Sequence, residues 1–81
     1  MNTGRVERFT EEEAKAKVGR TVRSLVDFYR VPPRTTGHVI DTCRTSDDRY
    51  DVVIEWELPN LAEPLYDRFA KNTYQQLLAE L

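Results

Sequence analysis

The most constraining feature of the sequence is the alternation of residue types from Tyr50 to Leu58. Every second side chain in this stretch is large and apolar, and three of the four side chains between them are acidic. The apolar set is Tyr50, Val52, Ile54, Trp56 and Leu58. Because successive side chains of a strand point to opposite faces, the pattern predicts a strand with one buried and one wet face. Strands of this kind are typical of antiparallel sheets.

Weaker patterns on either side predict further strands. Residues 22–28 alternate with one mostly apolar face, formed by Val22, Ser24, Val26 and Phe28. A second strand is predicted from His38 to Arg44, and a short last strand at 65–70. Prolines and polar turn residues separate these strands, since proline donates no ladder hydrogen bond. Three or four short strands are too few for a sandwich, so we expect a small antiparallel barrel.

A short helix is predicted before the strands. Thr10 followed by Glu13 is a capping box, in which each residue satisfies a backbone N–H of the other. Gly19 suits the left-handed conformation that often ends a helix, so the helix is expected over about 10–18. Residues 1–9 carry little pattern and are predicted to be a flexible leader.

A second helix is predicted over about 72–81, with Asn72 as its cap. Its apolar residues recur with helical spacing and form one stripe: Tyr74, Leu77, Leu78 and Leu81. We expect this stripe to cover an open end of the barrel. The sequence is therefore interpreted as a mainly β fold with flanking helices, in which residues 10–81 form a single domain.

Composition excludes several classes of protein. A chain of 81 residues is expected to form one domain. The longest stretch without a charge, from Asn72 to Ala79, is far shorter than the ~20 apolar residues of a membrane span. A single cysteine, Cys43, forms no internal disulfide, and no apolar signal segment follows the first residues. These features favour a small soluble cytoplasmic domain without a membrane partner.

Catalytic and metal-binding arrangements are not indicated. On a regular strand, His38 and Cys43 are an odd number of residues apart and point to opposite faces, so they would not share a proton. They are also too few for a structural zinc site. Glu55 and Glu57 share a strand face, but nothing in the sequence sets their acidities apart as a hydrolase requires. We therefore predict a non-enzymatic protein without cofactor or metal.

Charge is distributed unevenly along the chain. The formal net charge is −2, yet residues up to Ile40 include eight basic and five acidic side chains, a net +3. The remaining residues include four basic and nine acidic side chains, a net −5. An acidic protein can therefore present a basic surface, which net charge alone conceals.

The segment from Phe28 to Thr36 is the strongest candidate for such a surface. It combines aromatic, basic and hydroxyl side chains with two stiff prolines. Arginine offers planar donors to carboxylate or phosphate groups, and tyrosine offers a stacking face at low entropy cost. The predicted partner-binding residues are Tyr29, Arg30, Arg34 and Thr36, with Arg23 extending the patch from the first strand.

The strand order and glycine positions at 19–58 resemble the SH3-like barrels that bacteria use. The segments that carry the resemblance are Gly-Arg-Thr-Val-Arg at 19–23, the proline-containing loop, Thr-Gly-His-Val at 36–39 and Tyr-Asp-Val-Val-Ile-Glu-Trp at 50–56. The Thr-Gly-x-Val element is also similar to the KOW type of such barrels, which often bind RNA or the transcription and translation machinery.

Two functions follow from the loop and the resemblance. The leading hypothesis is a small accessory or regulatory protein that docks on a larger protein through its basic loop. The alternative is an RNA- or DNA-binding KOW-like domain. The sequence leaves open whether the chain forms a homodimer.

Overall fold

Five antiparallel strands form one open sheet in the computed structural model, which describes residues 8–28, 30–59 and 62–81. In chain order the elements are α1 (Glu11–Lys17), β1 (Thr21–Ser24), β2 (Thr36–Arg44), β3 (Tyr50–Trp56), β4 (Leu65–Phe69), α2 (Lys71–Leu77) and β5 (Leu78–Glu80). Neighbouring strands lie in the order β4-β3-β2-β1-β5. The predicted mainly β fold with two short helices is confirmed. Neither helix is long and apolar enough to cross a membrane.

β3 provides the centre of the hydrophobic core, as its alternation predicts. Val52, Ile54 and Trp56 are at most 3% exposed and lie on one face of the sheet. On β2, Gly37 lies opposite Trp56, and a Cβ atom there would lie 2.7 Å from the side chains of both Ile54 and Trp56. Only glycine therefore fits at position 37. The other core residues are Phe9, Ala14, Val22, Val31, Val39, Phe69, Tyr74 and Leu78.

α1 has the predicted capping box. The Thr10 hydroxyl accepts from the Glu13 N–H at 3.2 Å, and the Glu13 carboxylate accepts from the Thr10 N–H at 3.0 Å. Gly19 has a φ of +93°, in the left-handed region that favours glycine. Lys71 of α2 donates to Glu13 at 3.0 Å, so the local cap also joins the two helices.

Phe9, which the sequence places in the leader, packs in the core. Its side chain is 1% exposed, and its ring meets the edge of the Tyr74 ring at a centroid distance of 5.7 Å. Its carbonyl also accepts from the Tyr50 N–H at 3.1 Å. Residues 1–7 lie outside the described residues, so a flexible leader stays a prediction for them alone.

The predicted helix over 72–81 is wrong in its second half. α2 ends at Leu77, and the chain becomes extended at Leu78, with φ −126° and ψ 148°. The N-cap is Ala70 without a side-chain hydrogen bond, so Asn72 is not the cap. The extended segment pairs with β1, placing Leu78 opposite Ser24. Backbone pairing with an otherwise open edge thus replaces the last helical turn.

The strand predicted over 22–28 is also shorter than expected. β1 ends at Ser24, and Val26, predicted on the buried face, is 40% exposed. The chain leaves the sheet because the following loop folds back over the core. Phe28 packs at 5.3 Å from Phe69 between ring centroids, and Val31 is 1% exposed.

A polar cluster joins α1, α2 and β5. Lys17 and the Tyr74 hydroxyl both donate to the same carboxylate oxygen of Glu80, at 2.6 Å and 2.7 Å. The Lys17 ammonium group also lies 5.4 Å from the centre of the Tyr74 ring. The hydrogen bonds from Lys17 and then Tyr74 hold the pKa of Glu80 below its ordinary value of 4.5. Burial, with the bond to Glu80, raises the pKa of Tyr74.

We expect the Glu80 cluster to make stability depend on pH. Because the pKa of Glu80 is lower in the folded state, its contribution is complete above pH 4.5 and is lost as the pH falls through the folded-state value. Glu80→Gln should lower the free energy of unfolding by about 1 kcal/mol at pH 7, with a difference that shrinks below pH 4.5. Urea unfolding at several pH values measures this. Glu63→Gln, at an exposed position between β3 and β4, should leave the whole profile unchanged, and identical profiles for E80Q and wild type would contradict the assignment.

Candidate functional site

The loop between β1 and β2, residues 25–35, is held by Ser24. The Ser24 hydroxyl is fully buried, donates to the Pro32 carbonyl at 2.8 Å and accepts from the Thr35 N–H at 2.9 Å. Its backbone N–H donates to the Thr35 carbonyl at 2.9 Å, and its carbonyl accepts from the Arg34 N–H at 2.8 Å. One small residue therefore fixes both the Pro32 bend and the return of the loop into β2.

The far end of the loop is held by apolar contacts. Phe28 and Val31 exchange backbone hydrogen bonds of 2.8 Å and 3.2 Å. The Phe28 ring lies 5.9 Å from Trp56 and 5.3 Å from Phe69 between centroids, and Val31 is buried beside them in the core. The loop is thus pinned at both ends, while its prolines and Arg30 remain exposed.

Arg34 has an unusual backbone conformation. Its φ is +68°, in the left-handed region, which costs a residue with a Cβ about 1–2 kcal/mol relative to right-handed conformations. Asp48 shares this conformation at φ +62°, but aspartate is common in such turns. The Arg34 side chain is exposed and makes no hydrogen bond or ion pair within the described chain. Arginine at this position therefore strains the backbone and gains no contact within the described chain that would offset the strain.

The structure places two of the other predicted contact residues, Arg23 and Thr36, near Arg34. Arg23 in β1 lies directly opposite Thr36 in β2, on the sheet face away from the core. Arg34 comes two residues before Thr36 and donates its N–H to the carbonyl of Ser24, the neighbour of Arg23, so the backbones of Arg23, Arg34 and Thr36 meet at one corner of the sheet. Arg30 lies exposed further along the loop, and Tyr29 lies outside the described residues.

An apolar strip beside these arginines was missed in the sequence. Its four members are Leu25, Leu77, Ala79 and Leu81. Leu25 donates its N–H to the Leu77 carbonyl at 2.8 Å, Ala79 lies opposite Arg23, and the Leu81 N–H bonds the Thr21 carbonyl at 2.9 Å. Because Ala79 pairs with Arg23, both lie on the outer face of the sheet. Leu25 and Leu81 each follow directly after a strand end and are exposed, and Leu77 is the last residue of α2. Their period of two at 77, 79 and 81 was the available signal, and the helical spacing of the same leucines hid it.

A hydroxyl, an imidazole and a carboxylate are connected on the same face. The Thr21 hydroxyl lies 3.3 Å from His38 Nδ1, and His38 Nε2 contacts the Glu57 carboxylate. This connectivity resembles that of nucleophilic triads. However, the side chains of His38 and Glu57 are 40% and 60% exposed, so water screens their interaction. Polar side chains on adjacent strands commonly make such contacts, so we assign no catalytic role to these three residues.

β2 contains a bulge that changes which side chains share a face. The pairing with β3 shifts between Val39 and Asp41. As a result, His38 lies opposite Glu55 and Cys43 opposite Asp51, both on the outer face. The expectation that His38 and Cys43 point to opposite faces is therefore wrong, because it assumes a regular strand.

His38 and Cys43 are nevertheless too far apart to share a proton. Their partners on β3, Glu55 and Asp51, are four residues apart, which is about 13 Å along a strand. Among the described residues, no group of three or more histidine, cysteine, aspartate or glutamate side chains is arranged to hold a metal ion.

Comparisons with known proteins leave the family open. No protein-family model, curated protein or solved structure matches the chain significantly. The resemblance to SH3-like and KOW-type barrels over 19–58 therefore rests on the sequence pattern alone.

Proposed function

We propose that this chain is a small accessory or regulatory protein that docks on a larger protein through the corner formed by Arg23, Arg34 and Thr36. The observation that carries the proposal is Arg34, an exposed arginine in a strained conformation on a pinned loop. A rigid loop loses little entropy on binding, and arginine pairs well with carboxylate groups. We further propose that the sheet belongs to an SH3-like barrel, which the five-strand order and the long first loop support.

Electrostatics on this face favour a protein over a nucleic acid. Glu57 directly follows β3 and donates its backbone N–H to the Thr36 carbonyl at 2.9 Å, so it is only two strands, about 10 Å, from Arg23. Glu55, two residues earlier in β3, lies on the same face. A nucleic acid needs a continuous basic path for its phosphates, and these acids interrupt it. A protein partner can instead offer carboxylates to the arginines and other groups elsewhere.

Arg34→Gly separates binding from folding. Glycine relieves the left-handed strain, so the free energy of unfolding should stay unchanged or rise by up to about 1 kcal/mol. Loss of the guanidinium group should weaken the partner complex at least about tenfold. The measurements are urea unfolding and affinity purification from the native host, with partner amounts read by mass spectrometry.

Arg49→Gln is the matched control, since it removes one positive charge from an exposed turn residue outside the corner. It should recover the partner as wild type does. Equal recovery with R34G would refute the proposal. Salt-sensitive binding of labelled RNA, measured by fluorescence anisotropy at two salt concentrations and lost in R34G, would favour the nucleic-acid alternative instead.

A further inference from the structure

Resting on the proposed function, we infer that the partner presents an acidic segment with aliphatic side chains, which binds across the corner and the apolar strip together. Backbone pairing brings the strip next to both arginines, since Ala79 lies opposite Arg23. On one side, the Leu25 N–H donates to the Leu77 carbonyl. On the other side, the Arg34 N–H donates to the carbonyl of Ser24, the residue before Leu25. One docking segment can therefore touch both kinds of side chain.

The surface has a regular spacing. Successive rows along β1 and β5 are two residues apart, or about 7 Å, and neighbouring strands are about 5 Å apart. The middle row contains Ala79, Arg23 and Thr36 in adjacent strands. The last row begins with Leu81 beside Thr21. Aliphatic side chains thus lie along β5, and basic side chains lie one or two strands further into the sheet.

Two members of the strip are well exposed to water. Leu25 is 54% exposed and Leu81 is 60% exposed, while Leu77 and Ala79 are half-buried between them. Contact with aliphatic side chains would remove this apolar surface from water, which is favourable roughly in proportion to its area.

Charge complementarity selects an acidic occupant rather than a second copy. Neither Arg23 nor Arg34 has an acidic partner among the described residues. The residues that line the strip, Thr21, Arg23, Leu25, Leu77, Ala79 and Leu81, include no acidic side chain, so the strip of a second copy would bring none to these arginines. Carboxylates flanking the aliphatic side chains of a different protein would pair with those arginines instead.

The test selects peptides from a random phage-displayed dodecamer library on the immobilised wild-type protein. We expect enriched peptides to combine Asp or Glu with Leu, Ile or Val. A labelled selected peptide is then titrated by fluorescence anisotropy at two salt concentrations. Leu25→Ser/Leu81→Ser should weaken binding at least about tenfold with an unchanged salt dependence, and Arg23→Gln/Arg34→Gly should weaken it similarly and flatten the salt dependence. Tyr66→Ser, an exposed residue on β4 at the other sheet edge, is the control that should bind normally.

The inference fails if no peptide is enriched, if the enriched peptides are basic, or if L25S/L81S binds as wild type. It also fails if light scattering shows a dimer that L25S/L81S dissociates, because the strip would then pair two copies. Partner recovery distinguishes this failure from that of the proposed function. If recovery depends on Arg34 but not on the two leucines, the docking proposal stands and the apolar strip has no part in it.

Discussion

Phe9→Ala is expected to lower the free energy of unfolding by about 3–5 kcal/mol, the usual cost of deleting a buried aromatic side chain. The ring is 1% exposed and meets Tyr74, which in turn bonds Glu80, so the cavity would open where α1 and α2 meet the sheet. A domain of this size has only about 4–12 kcal/mol of stability in total. Urea or thermal unfolding should therefore show a large loss of stability in F9A, although Phe9 lies at the end of a segment with little sequence pattern.

Val18→Ala is the matched control for this prediction. Val18 is also apolar and belongs to the same N-terminal region, but it is 45% exposed just after α1. Its truncation should change the free energy of unfolding by no more than about 0.5 kcal/mol. Equal effects of the two variants would show that Phe9 does not belong to the core.

Features set by neighbouring residues could be predicted from the sequence. The Thr10–Glu13 capping box and the left-handed Gly19 need only local chemistry, and both are present. The buried face of β3 follows from a strict period of two in bulky residues such as Ile54 and Trp56. These elements form largely as their own side chains dictate, so distant parts of the chain hardly alter them.

Features set by distant pairing could not be predicted. The leucines from Leu77 to Leu81 fit a helical period and a strand period, and the sequence does not say which one applies. The structure favours the strand because β1 offers a free edge more than fifty residues earlier, where Ser24 faces Leu78. That edge is visible only once the sheet has formed.

In the candidate site, too, some features could be predicted from neighbouring residues and others could not. A pinned basic loop is expected from its prolines and arginines, but the left-handed backbone of Arg34 has no signal in the residue type. Val26 was placed on the buried face of a continuing strand, and its exposure follows from the end of β1 at Ser24. Likewise, the bulge before Asp41 changes the face of Cys43 relative to His38, and one extra residue in a ladder cannot be read from alternation.

Ser24→Ala should destabilise the protein by about 2–3 kcal/mol and loosen the β1–β2 loop. The substitution leaves the Thr35 N–H without its buried acceptor, and an unsatisfied buried donor costs about 1–3 kcal/mol. The Pro32 carbonyl loses one donor but keeps the Thr35 hydroxyl at 2.7 Å, so it adds less. Urea unfolding measures the stability, and hydrogen exchange should show faster exchange of the Thr35 amide.

Thr35→Val is the control that distinguishes the role of the Thr35 hydroxyl from that of the buried Ser24 hydroxyl. It removes the Thr35 hydroxyl from Pro32 but leaves both Ser24 bonds in place, so we expect a loss of no more than about 1 kcal/mol and normal protection of the residue 35 amide. Partner binding should weaken in S24A and not in T35V, because only S24A removes the buried side-chain bonds that help hold the segment around Arg34, while the backbone bonds of residue 24 remain. If S24A kept both the amide protection and the partner, the backbone bonds of residue 24 and the packing of Phe28 and Val31 would suffice to hold the loop, and the Ser24 hydroxyl would have no part in presenting Arg34.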